Sequence, residues 1–172
     1  MNAAREASLV IGLGQPDRGD DAVGPVVAAR LRDLVGDSVV VLTREDPTAL
    51  VQTWDGYRVA VVIDSVLTGA EPGTLTIRQA GAAAEPLPTH AFTAAGRGGS
   101  HAFGVAGAVE LSRTLGTLPE QLAIVGVEAA SFDHGPMTDP VIAAIDDAVA
   151  TVVATLARGI SALTESEAGS CA

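Results

Sequence analysis

Apolar residues follow two alternating rhythms along the chain. Short unbroken runs at Ser8–Leu13, Val39–Leu42, Arg58–Ile63 and Leu122–Val127 have the length of strands buried on both faces. Between them, apolar positions recur at helical spacing. Asp20–Val35 carries Val23, Val26, Val27, Leu31, Leu34 and Val35, with Pro25 in the first turn, where proline is tolerated. Pro47–Trp54 reads as a short helix, and Ala102–Leu115 as another with Val105, Val109 and Leu111 or Leu115 facing inward. A final helix opens with Asp139-Pro140 as N-cap and first residue and runs to Arg158. Its apolar stripe is Ile142, Ile145, Val149, Val152, Val153 and Leu156.

Two segments break these rhythms. Gly73–Gln79 alternates Leu75 and Ile77 with Thr74, Thr76 and Arg78, the pattern of an antiparallel edge strand with one wet face. Gly81–Ser100 has no period and is rich in Ala, Gly and Pro, which predicts a long, mobile functional loop. The alternation predicts an α/β three-layer domain over residues 1–160, with a mostly parallel sheet and helices on both faces, and a flexible tail over 161–172. In such folds the site lies beyond the carboxyl ends of the strands. Gly12–Asp21, Thr43–Asp46, Asp64-Ser65 and Glu128–Asp133 are therefore the segments that carry candidate chemistry.

Composition narrows the classes. At 172 residues and 48% hydrophobic, the chain can fill one core. No apolar run approaches the roughly 18 residues of a membrane span, and the first residues lack the apolar stretch of a signal peptide. A formal charge of −11 argues against nucleic acid as a partner. All ten basic residues are Arg, so a Schiff-base or phosphate-loop lysine is excluded. The lone cysteine, Cys171, can form no internal disulfide and stands at the tail. That fits a reducing cytoplasm and disfavours a cysteine nucleophile.

After the first strand, Gly12-Leu13-Gly14 opens like a dinucleotide fingerprint, but Asp17 stands where the third glycine is needed. Asp17, Asp20 and Asp21 face only Arg18 in that loop, which repels phosphate and suits a cation. For Asp20 or Asp21 alone, capping the following helix is an equal reading. Asp64 follows five apolar residues; a carboxylate there needs a cation or several donors, or else caps a turn. Of three histidines, His90 is mid-loop and His134 is in a turn. His101 opens a helix and counts only if that helix start faces the strand ends. Two carboxylates and an imidazole would suit Ni, Zn or Fe.

Val10-Ile11-Gly12-Leu13-Gly14-Gln15 followed by Gly19-Asp20-Asp21-Ala22-Val23-Gly24 resembles the opening of the [NiFe]-hydrogenase maturation endopeptidases. Ile63-Asp64-Ser65 with Gly69 and Pro72-Gly73-Thr74 looks like their second motif. Ser100-His101-Ala102-Phe103-Gly104 looks like their third, and Leu122–Glu128 like their last strand. The resemblance covers roughly residues 8–158. It implies a five-stranded sheet flanked by helices, and removal of a C-terminal peptide from the hydrogenase large-subunit precursor after nickel insertion. Nickel, arriving with that substrate, is the recognition signal; zinc or cadmium could substitute in a crystal. The implied nickel and catalytic positions are Asp21, Asp64 and His101. Asp21 is one methylene shorter than the common Glu, in a loop expected to face solvent, and Gln15 replaces a common Asn. Asp46 stands near where another Asp is common. The implied protein is a cytoplasmic monomer. The competing readings are a metal checkpoint or delivery protein that binds without cutting, and a nucleotide-binding module.

Overall fold

The computed structural model describes residues 7–87 and 104–170. Five strands form one sheet: β1 (Ser8–Leu13), β2 (Val39–Arg44), β3 (Val59–Val66), β4 (Leu75–Gln79) and β5 (Gln121–Glu128). Their order is β2-β1-β3-β5-β4, with every pairing parallel except β4 against β5. The expected mostly parallel sheet with an antiparallel edge strand is what forms. The order reverses between β1 and β3, so a crevice opens at their carboxyl ends.

Residue alternation along β3 divides the core. Val59, Val61 and Ile63 pack with Val23, Val27 and Leu31 of α1 (Val23–Arg32) and with Ile145, Ala148, Val152 and Leu156 of α5 (Ile145–Ser170). Ala60 and Val62 pack on the other face, with Leu50 of α2 (Leu50–Thr53), with Trp54 just after it, and with Val105, Ala106, Ala108 and Val109 of α3 (Val105–Leu115).

Several expected boundaries move, each for a local reason. Asp20–Ala22 is not the first turn of α1. Gly19–Ala22 forms a tighter 3-10 turn, and the α-helix starts at Val23. Leu34 then falls beyond the helix and is exposed. On α3, Leu111 and Leu115 both face water, because the inward position is taken by Ser112, whose Oγ accepts a 2.9 Å hydrogen bond from Trp54 Nε1. A buried indole N–H needs an acceptor, and that outranks one more leucine.

The last helix is two helices. α4 (Asp139–Ala143) has Thr138 rather than Asp139 at its N-cap position, and α5 follows at Ile145. Across this interruption Ile142 and Val153 are exposed, and Val141, Ala144 and Ala148 are buried. α5 runs past Arg158 to Ser170, where a free tail was expected, and Glu167 on that extension pairs with Arg58. By length and composition residues 145–168 could cross a membrane, but the buried stripe of this helix packs on the sheet.

Two glycines let α1 approach the sheet. A Cβ on Gly12 of β1 would lie 2.3 Å from Gly24 O, and one on Gly24 would lie 2.2 Å from Leu13 O. Backbone meets backbone here, so no rotamer can relieve the clash. Gly24→Ala is expected to destabilise the fold by at least about 2 kcal/mol, read as a lower midpoint in urea unfolding; an unchanged midpoint would contradict this packing.

Candidate functional site at the ends of β1 and β3

The turn Gly19–Ala22 presents two consecutive buried carboxylates. Asp21 turns toward the sheet. Its Oδ2 accepts from the Gln15 backbone N–H at 2.9 Å, and its Oδ1 from the Ser65 hydroxyl at 3.0 Å. At Gly14, with φ +137°, a Cβ would sit 1.9 Å from Asp21 O, so only glycine lets the loop fold back onto this turn. Asp21 is only 6% exposed, unlike the solvent-facing position expected of it.

Ser65 and its neighbour Asp64 are inside β3, which continues past Ile63 to Val66. By alternation Asp64 continues the Ala60–Val62 series, on the face covered by α3, while Ser65 turns toward α1. The structure therefore brings the Asp21 and Asp64 segments together at the crevice. His101, with His90 and residues 88–103 generally, lies outside the described residues, three positions before Gly104, the N-cap of α3. Among the described residues no group of three His, Cys, Asp or Glu side chains gathers in a metal-binding arrangement.

Asp20 is fully buried and caps nothing. Its Oδ2 accepts from the N–H groups of Ala130 and Ser131 at 2.7 and 3.0 Å. Its Oδ1 accepts from the Thr138 N–H at 2.7 Å and lies 2.9 Å from the Thr138 hydroxyl. Burial pushes its pKa up, but the donors of Thr138, Ala130 and Ser131 together outweigh burial and hold it below the ordinary value. Asp20 thus ties the segment after β5 to the loop after β1.

Glu128 plays the same part on the other side. It is buried at the end of β5 and accepts from the N–H of Thr68, the Thr68 hydroxyl and the Gly69 N–H. Asp46 caps the turn Pro47–Ala49 through Thr48. Asp17, Asp133 and His134 are exposed. Ser65 and Thr138 are the residues that sequence reading missed as donors. A hydroxyl next to a strand-end aspartate was the available signal for Ser65; Thr138 gave none. A cavity of about 300 Å³ lies away from this cluster, lined by the first residues of β3 and β5 and by Arg158 and Gly159.

The family model for hydrogenase maturation protease matches residues 45–155, more than half of the chain. No curated protein is significantly similar in sequence. Among solved structures, the hydrogenase maturating endopeptidase HybD from E. coli superposes with a TM-score of 0.70 at 24% identity, over 88% of this chain and 93% of that one. An endopeptidase from Escherichia coli gives 0.74 at 24% identity, over 87% and 91%. A hydrogenase 2 maturation peptidase from Thaumarchaeota archaeon SCGC_AB-539-E09 gives 0.62 at 25% identity, over 87% and 97%. These likenesses reproduce the fold described above.

Asp20→Asn removes the charge and leaves at least one buried N–H without an acceptor, an expected loss of about 2–3 kcal/mol. The folded-state pKa is lowered, so the stabilisation is complete above the unfolded value of 3.8 and fades as pH falls through the folded one. Denaturant titrations of both proteins from neutral to acid pH should show a gap that closes below about pH 4. A gap independent of pH would contradict it.

Proposed function

The chain belongs to the hydrogenase maturation protease family of endopeptidases, and on that premise we propose that it removes the C-terminal peptide from the nickel-loaded precursor of a hydrogenase large subunit. The observation that supports this most is the joining of the Asp21 and Asp64 segments at the β1–β3 crevice, through the Ser65–Asp21 hydrogen bond. In this reading Asp21, Asp64 and His101 meet the nickel that the precursor carries. Two carboxylates and an imidazole are a donor set that a borderline divalent ion accepts. The bonds from the Gln15 N–H and the Ser65 hydroxyl orient the Asp21 carboxylate at the end of β3. α3 covers the face of the sheet that Asp64 faces, and His101 closely precedes α3 in the chain.

The chemistry is hydrolysis by water. A carboxylate of the site serves as the base. Water oxygen bonds to the scissile carbonyl carbon, the C–N bond breaks, and the proton passes to the leaving amine. The two anions buried at the end of β1 disfavour a phosphate there, which weighs against the nucleotide-binding reading. The proposed setting is the cytoplasm, with the protease a monomer, which light scattering on the purified protein would check.

Asp64→Asn keeps the volume but loses the charge, and His101→Ala removes the only nitrogen donor. Each is expected to lower precursor cleavage by about 100-fold or more, followed by gel shift, with circular dichroism unchanged. Asp21→Glu should retain part of the activity, at the cost of fitting one methylene against Ser65 and Gln15. Full activity in Asp64→Asn would make that carboxylate structural and remove the metal-reading role.

A further inference from the structure

Among the described arginines, Arg18 has a buried guanidinium nitrogen with no acceptor and no carboxylate against it; Arg113 also has unpartnered nitrogens but lies beside Glu110. Arg30, Arg58 and Arg113 lie against carboxylates, and Arg44 and Arg158 donate to hydroxyls. Arg32 and Arg78 are exposed to water. Arg18 is partly buried, its Nε is shielded from solvent, and that Nε has no acceptor. Asp17 and Asp133 are exposed on the same two loops, yet Arg18 pairs with no carboxylate among the described residues. A shielded Nε–H without an acceptor is costly, and a carboxylate arriving from outside would satisfy it.

Its backbone is also fixed. Arg18 N–H donates to Gln15 O at 3.3 Å, and Arg18 O accepts from Asp21 N–H at 3.1 Å. The flanking residues lock to Gly135 through Gly19 N–H to Gly135 O at 3.1 Å and Gly135 N–H to Asp17 O at 3.2 Å. A cation whose main chain is clamped on both sides, three residues before Asp21, is pre-positioned for a ligand.

We propose that Arg18 is a specificity-determining residue that binds a carboxylate of the precursor's C-terminal segment beside the cleavage site. This rests on the protease reading above. A planar guanidinium engages a carboxylate through two parallel N–H donors, which sets orientation as well as affinity. The carboxylate is either an Asp or Glu side chain of the segment or its terminal α-carboxylate.

The test is steady-state cleavage of nickel-loaded precursor by wild type, Arg18→Ala and Arg18→Lys. Arg18→Ala should raise KM about tenfold or more, with kcat close to wild type. Arg18→Lys should recover only part, since an ammonium lacks the fork. Arg18→Gln, which keeps most of the stem, gives the same reading should Arg18→Ala fail to fold. Two further precursors separate the sources. One has the acidic side chains of its tail changed to amides, and the other has its C-terminus amidated. The precursor that lacks the true partner should erase the difference between wild type and Arg18→Ala. An unchanged KM in Arg18→Ala, or a raised KM that persists on both altered precursors, would overturn the proposal. Failure of the wild type to cut would instead overturn the protease reading.

Discussion

Everything at the candidate site depends on how closely α1 starts against the end of β1. Gly24 O stands 2.3 Å from where a side chain on Gly12 would begin, a separation only two glycines allow. Of the nine residues between β1 and α1, the last four, Gly19–Ala22, form a tight 3-10 turn with both carboxylates inside. Asp20 goes to the segment after β5, and Asp21 to β3. One carboxylate fastens the frame of the crevice and the other is left at its floor.

Adjacent aspartates thus have different tasks because their donors differ. Asp20 receives N–H groups from three residues and a hydroxyl; this is how a buried carboxylate stays ionised without a cation. Asp21 accepts from the Gln15 N–H and the Ser65 hydroxyl, which fix its direction toward β3. Glu128, saturated by Thr68 and Gly69, repeats the first solution at the far side and holds the β3–β4 connection. Acidic residues at strand ends are therefore partly scaffold, and counting them does not find the site.

The layers and the mostly parallel sheet with its antiparallel edge were legible in the sequence because buried parallel strands read as unbroken apolar runs, and Leu75 and Ile77 alternated as an edge strand does. Asp64 was legible as a carboxylate ending such a run. The capping reading open to Asp20 fails because capping is a local pattern, whereas its partners lie more than a hundred positions away at Ala130 and Thr138. Leu111, Leu115, Ile142 and Val153 followed the helical period but face water. A hydrogen bond to Trp54 and a break at Ala144 set the rotation of those helices, and neither is visible in spacing. The Asp21 turn meets β3 through Ser65, the neighbour of Asp64, and His101 falls outside the described residues.

The account turns on nickel in the precursor being what this crevice reads. The most direct measurement is intact-mass spectrometry of one large-subunit precursor, prepared with and without nickel and incubated with the wild-type protein. The account predicts a single C-terminal cut in the nickel-loaded form and none in the nickel-free form. Equal cutting of both forms, or stable binding of the loaded form without any loss of mass, would contradict it.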